Sequence, residues 1–238
     1  MTRYYIDMHC HTNASFDSLS DPGSVVRAAA KRGLTHLAIT DHDRIEGALR
    51  ARDAAPDGLT VIVGEEIKTA DGDLIALFLE HAVAPHMPAA ETIEAVRAQG
   101  GLVGIPHPFD KFRGSMLNDP KLEAIGGMVD WVEAHNARVV GGTGNERAQA
   151  FALEMGLPGI AVSDAHSVLE VAVAYTALDA DPSTPEGLLA ALATLELVPG
   201  RASYIVRTLT PISKLINRVR GNRRVPPPPA APGAPSIE

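Results

Sequence analysis

A single cysteine, Cys10, stands among the 238 residues, and that scarcity excludes an internal disulfide framework. No apolar run approaches membrane-spanning length, and no N-terminal apolar stretch resembles a signal peptide. A reducing cytoplasm is therefore the expected compartment. Basic excess is missing too: the formal charge is -8 and the isoelectric point is near 5.6, which argues against a surface that coats nucleic acid. A phosphate-cradling P-loop is also lacking, since Gly141-Gly142-Thr143-Gly144 is not followed by Lys and Ser or Thr. With 45% hydrophobic residues, the chain can bury one large α/β core, alone or with a tail.

What the chain does have is a series of imidazoles and carboxylates at the ends of apolar runs. Tyr4-Tyr5-Ile6 leads into Asp7-Met8-His9-Cys10-His11. On an extended strand Asp7, His9 and His11 share one face, while Met8 and Cys10 point the other way. Taken alone, the pair is as compatible with hydrogen-bonded histidines as with a metal. The remaining runs shift that balance. Leu37–Thr40 is followed by Asp41-His42, Val61–Glu65 by Glu66, Leu102–Pro106 by His107, and Gly159–Ser163 by Asp164-Ala165-His166. Such a donor mix suits Zn, Mn or Fe better than Ca or Mg, which prefer oxygen shells. Cys10 has the wrong parity and is expected to pack as a small buried hydrophobe.

Strands alternate with helical segments almost from end to end. Asp21-Pro22 caps a helix over Ser24–Arg32 that Gly33 stops, and further helices are expected over 45–55, 91–99, 145–155 and 185–194. Strands are expected from Thr35, over 59–68 and 74–79 as a hairpin across Asp71-Gly72-Asp73, and over 102–106, 129–133, 159–163, 171–178 and 195–198. Repeated βα units imply a mainly parallel sheet, and a closed or nearly closed barrel would gather its active site at the C-terminal strand ends.

Taken in order, Asp7-Met8-His9-Cys10-His11, Thr40-Asp41-His42, Gly64-Glu65-Glu66, Pro106-His107-Pro108 and Ser163-Asp164-Ala165-His166 resemble the PHP family, the polymerase and histidinol phosphatase domain proteins. The likeness spans roughly residues 4 to 200. It implies a distorted (β/α)7 barrel, TIM-barrel-like, over residues 1–210, carrying two or three divalent ions that hydrolyse phosphoesters. His9 and His11 match the first-motif ligands, Asp17 the position after them, His42 the second motif, and Glu66 the bridging carboxylate. His107 matches the later histidine, and Asp164 and His166 the closing pair. Where many members carry a histidine on the strand after that glutamate, this chain has Gly72-Asp73-Leu74-Ile75. Either Asp73 replaces the imidazole, or one metal is weakened or absent. No ligand role carries over to His135, which is expected to be structural along with His36, His81 and His86.

Asp7 and Asp41 precede ligand histidines and are expected to accept a hydrogen bond from an imidazole N–H. Arg113, Arg138 and Lys68 are the candidates for holding substrate phosphate. The expected chemistry is attack by a metal-activated water on a phosphomonoester of a small metabolite or nucleotide, or on the 5′ end of a short oligonucleotide. A regulatory metal-binding module without catalysis, or a metal-dependent amide or lactone hydrolase, are the alternatives. Lys214, Arg218, Arg220, Arg223 and Arg224 precede Pro226–Pro229, so residues 211–238 read as a basic, then proline-rich, disordered tail.

Overall fold

Period-two alternation along the strands divides the apolar residues between two cores. In β2 (His36–Ile39), Leu37 and Ile39 enter one buried cluster and Ala38 the other; in β3 (Thr60–Lys68), Val61 and Val63 are likewise separated from Ile62. The computed structural model describes residues 2–110, 119–139, 143–203, 206 and 208–227. Its other strands are β1 (Tyr4–Asp7), β4 (Asp73–Leu77), β5 (Leu102–Ile105), β6 (Trp131–Asn136), β7 (Gly159–Val162), β8 (Tyr175–Leu178) and β9 (Glu196–Val198). They form one sheet in the order β7-β6-β5-β4-β3-β2-β1-β8-β9.

Pairing is parallel for β1 with β2, β2 with β3, β5 with β6, and β6 with β7. Between them β4 runs antiparallel to β3 and β5, as the expected hairpin requires, while β8 lies antiparallel to β1. Six strands therefore present their C-terminal ends at one rim. The sheet curls into a nearly closed barrel. Thr176 of β8 completes it from below: its hydroxyl donates to the Ala161 carbonyl of β7 at 3.0 Å and accepts from the Ala161 N–H at 3.0 Å. At the opposite rim, a bridge between Cys10 and Ala165 joins the chain leaving β1 to the chain leaving β7, with His11 N–H on the Ala165 carbonyl at 2.8 Å. The expected distorted (β/α)7 barrel is thus observed, with β8 and β9 added at its seam.

The helices cover the outside. Val25, Val26 and Ala29 of α1 (Pro22–Lys31), Ala48 of α2 (Glu46–Asp53), Ile93 and Val96 of α3 (Ala89–Arg97), Leu122 of α4 (Asp119–Gly126) and Phe151 of α5 (Gly144–Met155) share a cluster with Leu37 and Val61. Ile6, Met8, Ile62, Ile75, Trp131 and Val162 form the other, joined by Leu188 and Leu192 of α6 (Pro185–Leu192). As read from the sequence, Asp21 caps α1 by accepting from Ser24 N–H at 3.0 Å, an interaction worth about 1 kcal/mol. Expected strand 129–133 instead begins at Trp131 and runs to Asn136.

The tail is a correction. A helix, α7 (Leu209–Val219), crosses the expected boundary at 210, and the chain after it stays packed on the barrel. Polar anchors hold it: Asn217 Nδ2 donates to the carbonyls of Ser15 and Ser18 at 3.2 and 2.9 Å, and Asn222 Nδ2 to those of Asn13, Ala14 and Ser15. A search for apolar periodicity passes over such a contact, because the buried residues of the helix are Ser213 and Asn217. The last prolines lie outside the described residues.

Candidate metal centre

At the rim where the parallel strands end, eight side chains converge, none more than 9% exposed. His9 and His11 leave β1, His42 follows β2, Glu66 lies in β3, His107 follows β5, and Asp164 and His166 follow β7. Asp17 comes from the turn after His11. Nε2 of His9 and of His11 are 2.9 Å apart, and each lies 3.3 Å from Glu66 Oε2. The same glutamate reaches His42 Nδ1 at 3.2 Å and, through Oε1, His107 Nε2 at 3.4 Å. Asp17 Oδ2 faces Nε2 of His42 at 3.4 Å and of His166 at 3.3 Å, while Asp164 Oδ1 stands 3.6 Å from both His9 and His11. Two groups thus bring donor atoms within 4.8 Å of one another: His11, Asp17, His42 and His166, and His9, His11 and Asp164.

Strand parity alone does not produce this convergence. Met8 and Cys10 fall in different cores, so alternation breaks once β1 ends at Asp7, and tertiary bonds aim the two rings instead. Glu133 of β6, a buried carboxylate that sequence reasoning missed as a site residue, accepts from His9 Nδ1 at 2.6 Å, from His107 N–H at 2.9 Å and from Asn136 Nδ2 at 2.8 Å. Its signal was available only as an acidic residue between the apolar Trp131-Val132 and Ala134. His11 Nδ1 meets Ser15 Oγ at 3.1 Å, and Ser15 Oγ–H donates to Asp41 Oδ1 at 2.7 Å. Asp41 also accepts from the N–H and hydroxyl of Thr12, both at 2.6 Å. Gly47 makes room for it, since a Cβ there would sit 1.9 Å from Asp41 Oδ2. Asp41 therefore acts on His11 through Ser15, not on an imidazole directly. Asp7 departs from expectation as well: its oxygens accept from backbone N–H groups of Ser163 at 3.0 Å and Ala172 at 3.2 Å, tying β1 to the β7 exit. Asp43, His107 and Asp164 adopt positive φ of 55°, 27° and 53°, so backbone strain of about 1–3 kcal/mol each is concentrated at this rim.

Protonation follows from these bonds. Because Ser15 gives its proton to Asp41, it must accept from His11 Nδ1, which leaves Nε2 as a lone pair in the neutral ring. Glu133 imposes the same on His9. Burial alone lowers the affinity of both rings for a second proton, but the carboxylates outweigh it: Asp164, Glu133 and Glu66 raise His9 well above its ordinary value, and Asp164 and Glu66 raise His11 to about 9. His166 is driven the other way, to about 3, by burial and by the Arg138 guanidinium. Its Nδ1–H donates to the Asp164 carbonyl at 2.9 Å, so its bare Nε2 faces the Asp17 carboxylate. Glu66 is held well below the carboxylate range, burial being overcome by His42 and His9. Buried lone pairs that face one another and carboxylate oxygens need a positive charge. Both ring nitrogens of His107 and Asp17 Oδ1 are buried without hydrogen-bond partners, so the donor set fits divalent cations.

The other expected positions divide. Asp73, expected either to replace an imidazole or to leave one metal weakened or absent, accepts from Arg224 Nη2 at 3.0 Å and lies 3.5 Å from Lys68 Nζ, so it is engaged by both cations. Arg138 is nine-tenths buried; Nη2 donates to Thr210 at 2.7 Å and Nη1 has no hydrogen-bond partner. Arg113 lies outside the described residues. His135 Nε2 bonds the Gly200 carbonyl at 2.8 Å, His86 Nε2 that of Val225 at 2.9 Å, and His36 the hydroxyls of Thr35 and Ser183. None of these joins the cluster.

A nearly closed barrel with this cluster at its rim has the fold of a metal-dependent phosphoesterase. The chain belongs to the PHP family: the model of the PHP domain matches residues 7–116, and that of a PHP-associated region matches residues 142–196. An uncharacterized protein of Methanocaldococcus jannaschii is 33% identical over 133 residues, covering 50% of this chain and 78% of its own length. A 5′-3′ exoribonuclease of Haemophilus influenzae is 43% identical over 70 residues, 29% of this chain and 25% of the enzyme. Among solved structures, a two-domain protein of Bacteroides vulgatus containing a predicted PHP-like metal-dependent phosphoesterase superimposes with a TM-score of 0.71 at 21% identity, over 84% of this chain and 65% of that one. No helix among the described residues is long and apolar enough to cross a membrane.

Proposed function

We propose that this protein hydrolyses a phosphoester, either a phosphomonoester of a small metabolite or nucleotide or the 5′ end of a short oligonucleotide, with two or three divalent ions of Zn, Mn or Fe. The observation that carries the reading is the 2.9 Å approach of His9 and His11 Nε2 while both Nδ1 protons are committed to Glu133 and Ser15. His9, His11, Asp17, His42, Glu66, His107, Asp164 and His166 would hold the ions. Bound there, such ions supply Lewis-acid activation of the phosphoryl group and of the attacking water.

The chain's own residues do the rest. Glu133 and Ser15 fix the tautomers of His9 and His11, so their lone pairs point into the centre. Glu170 accepts from His166 N–H at 3.1 Å and lies 3.7 Å from Arg138 Nε, which sets the loop and the guanidinium together. Arg138 supplies a buried N–H beside His166, suited to a phosphate oxygen. Lys68 is engaged by Asp73, which makes it the weaker candidate of the two. The exoribonuclease relative supports including an RNA 5′ end among the substrates.

The test is turnover of 5′-mononucleotides, 3′,5′-bisphosphates, short RNA, histidinol phosphate and a cyclic phosphodiester by Mn- or Zn-loaded protein. Hydrolysis of at least one, weakened by Arg138→Ala through KM, is expected. Metal-loaded protein inactive on every phosphoester sinks the proposal.

A further inference from the structure

A second group of buried charges adjoins the cluster, and the C-terminal segment completes it. Asp43 follows His42, and its N–H donates to the Glu66 carbonyl at 3.1 Å, so this corner shares a backbone contact with the centre. Asp43 is 6% exposed and Asp73 is 3% exposed. Arg224 spans both: Nε donates to Asp43 Oδ2 at 3.0 Å and Nη2 to Asp73 Oδ1 at 3.0 Å. One edge of a guanidinium thus closes two carboxylates that belong to different strand ends.

We propose that Arg224 serves as a built-in cation at the Asp43–Asp73 corner, so that while the C-terminal segment is seated this corner takes no divalent ion. The inference rests on the metal reading above and narrows it, confining ions to the imidazole cluster.

Charge counting separates the two places. Asp43 and Asp73 are matched by Arg224 and by Lys68, whose Nζ lies 3.5 Å from Asp73, so the corner is neutral already. A divalent ion added there would confront two fixed cations at close range, where repulsion is weakly screened. Removing Arg224 exposes the opposite: two buried carboxylates facing one lysine, with Asp73 Oδ2 already buried and without a hydrogen-bond partner. Uncompensated buried carboxylates draw in a cation or a proton.

Arg224 is also delivered there by design of the segment around it. Arg44 donates to Asn222 Oδ1 and to the Arg223 carbonyl, both at 3.1 Å, and His86 bonds the Val225 carbonyl at 2.9 Å. Backbone is therefore pinned on each side of residue 224. Asn217 and Asn222 anchor the stretch before it on the loop that carries Asp17.

The experiment titrates full-length wild type, Arg224→Met, Asp73→Asn and the double variant with Mn2+ by calorimetry, and counts bound metal by mass spectrometry. Arg224→Met should bind one more Mn2+ per chain than wild type, and adding Asp73→Asn should remove that extra equivalent. Asp73→Asn alone should leave the wild-type count unchanged. An Arg224→Met count equal to wild type overturns the inference, as does loss of an equivalent in Asp73→Asn. The second arm decides even if Arg224→Met fails to fold. Wild type binding no Mn2+ at all would instead overturn the metal reading, whereas the difference between the variants bears on Arg224.

Discussion

Replacing Glu133 by glutamine tests the tautomer argument with almost no change of shape. Oε2 of Glu133 receives two donors, His107 N–H and the Asn136 amide, whereas Oε1 receives only His9 Nδ1. The glutamine carbonyl must therefore take the Oε2 position, because the other orientation sets its NH2 against two fixed donors. Its NH2 then faces His9 Nδ1, and the ring relieves the conflict by moving its proton to Nε2. That proton lands in the centre, beside His11 Nε2 and Glu66, and replaces a lone pair. Loss of such a supporting partner typically costs about 10- to 100-fold in metal affinity, or about 1.4–2.8 kcal/mol. Folding stability should barely change. Glu133→Ala, in contrast, leaves the His107 and Asn136 donors buried without an acceptor, at about 1–3 kcal/mol each, so it should lose affinity and thermal stability together. Calorimetric Mn2+ titration, with 15N shifts of the His9 ring to read the tautomer, checks both variants. A glutamine variant that binds Mn2+ as wild type does, with the proton still on His9 Nδ1, would refute the reasoning.

His9→Ala or Glu66→Ala should abolish metal binding and hydrolysis together, whereas His135→Ala, whose ring bonds Gly200, should spare both; equal loss in all three would mean that the histidines are wrongly sorted. Gly104→Ala should cost about 1–3 kcal/mol by overpacking, seen as a lower denaturation midpoint, because its Cβ would lie 2.0 Å from Nε1 of the buried Trp131. Burial lowers the pKa of His36 despite Asp181, so the folded state disfavours its charged form. Its contribution to stability is complete above the unfolded value of about 6.5 and is lost as pH falls from there through the folded value. Urea midpoints should accordingly drop more between pH 7.5 and 5 in wild type than in His36→Gln, and parallel drops would exclude His36 as the source.

The sequence by itself determined which histidines and carboxylates stand at the strand ends, and the helices between them. Period-two and helical spacing are local, and Asp21, Gly33 and Gly156 mark boundaries through their own backbone preferences, with φ of 86° and 66° at the two glycines. His42, Glu66, His107 and His166 were legible because each ends an apolar run. Tertiary structure alone decided what surrounds them. Glu133 reaches His9 across 124 residues, Asp41 acts on His11 through Ser15, and Asp7 turned out to hold backbone N–H groups of the β7 exit. Arg224 meets Asp73 across 151 residues, from a segment whose basic, proline-rich composition reads as a tail. These are single polar contacts between distant strand ends. A lone carboxylate or asparagine has no periodicity to announce its partner, and only closure of the barrel brings the two together.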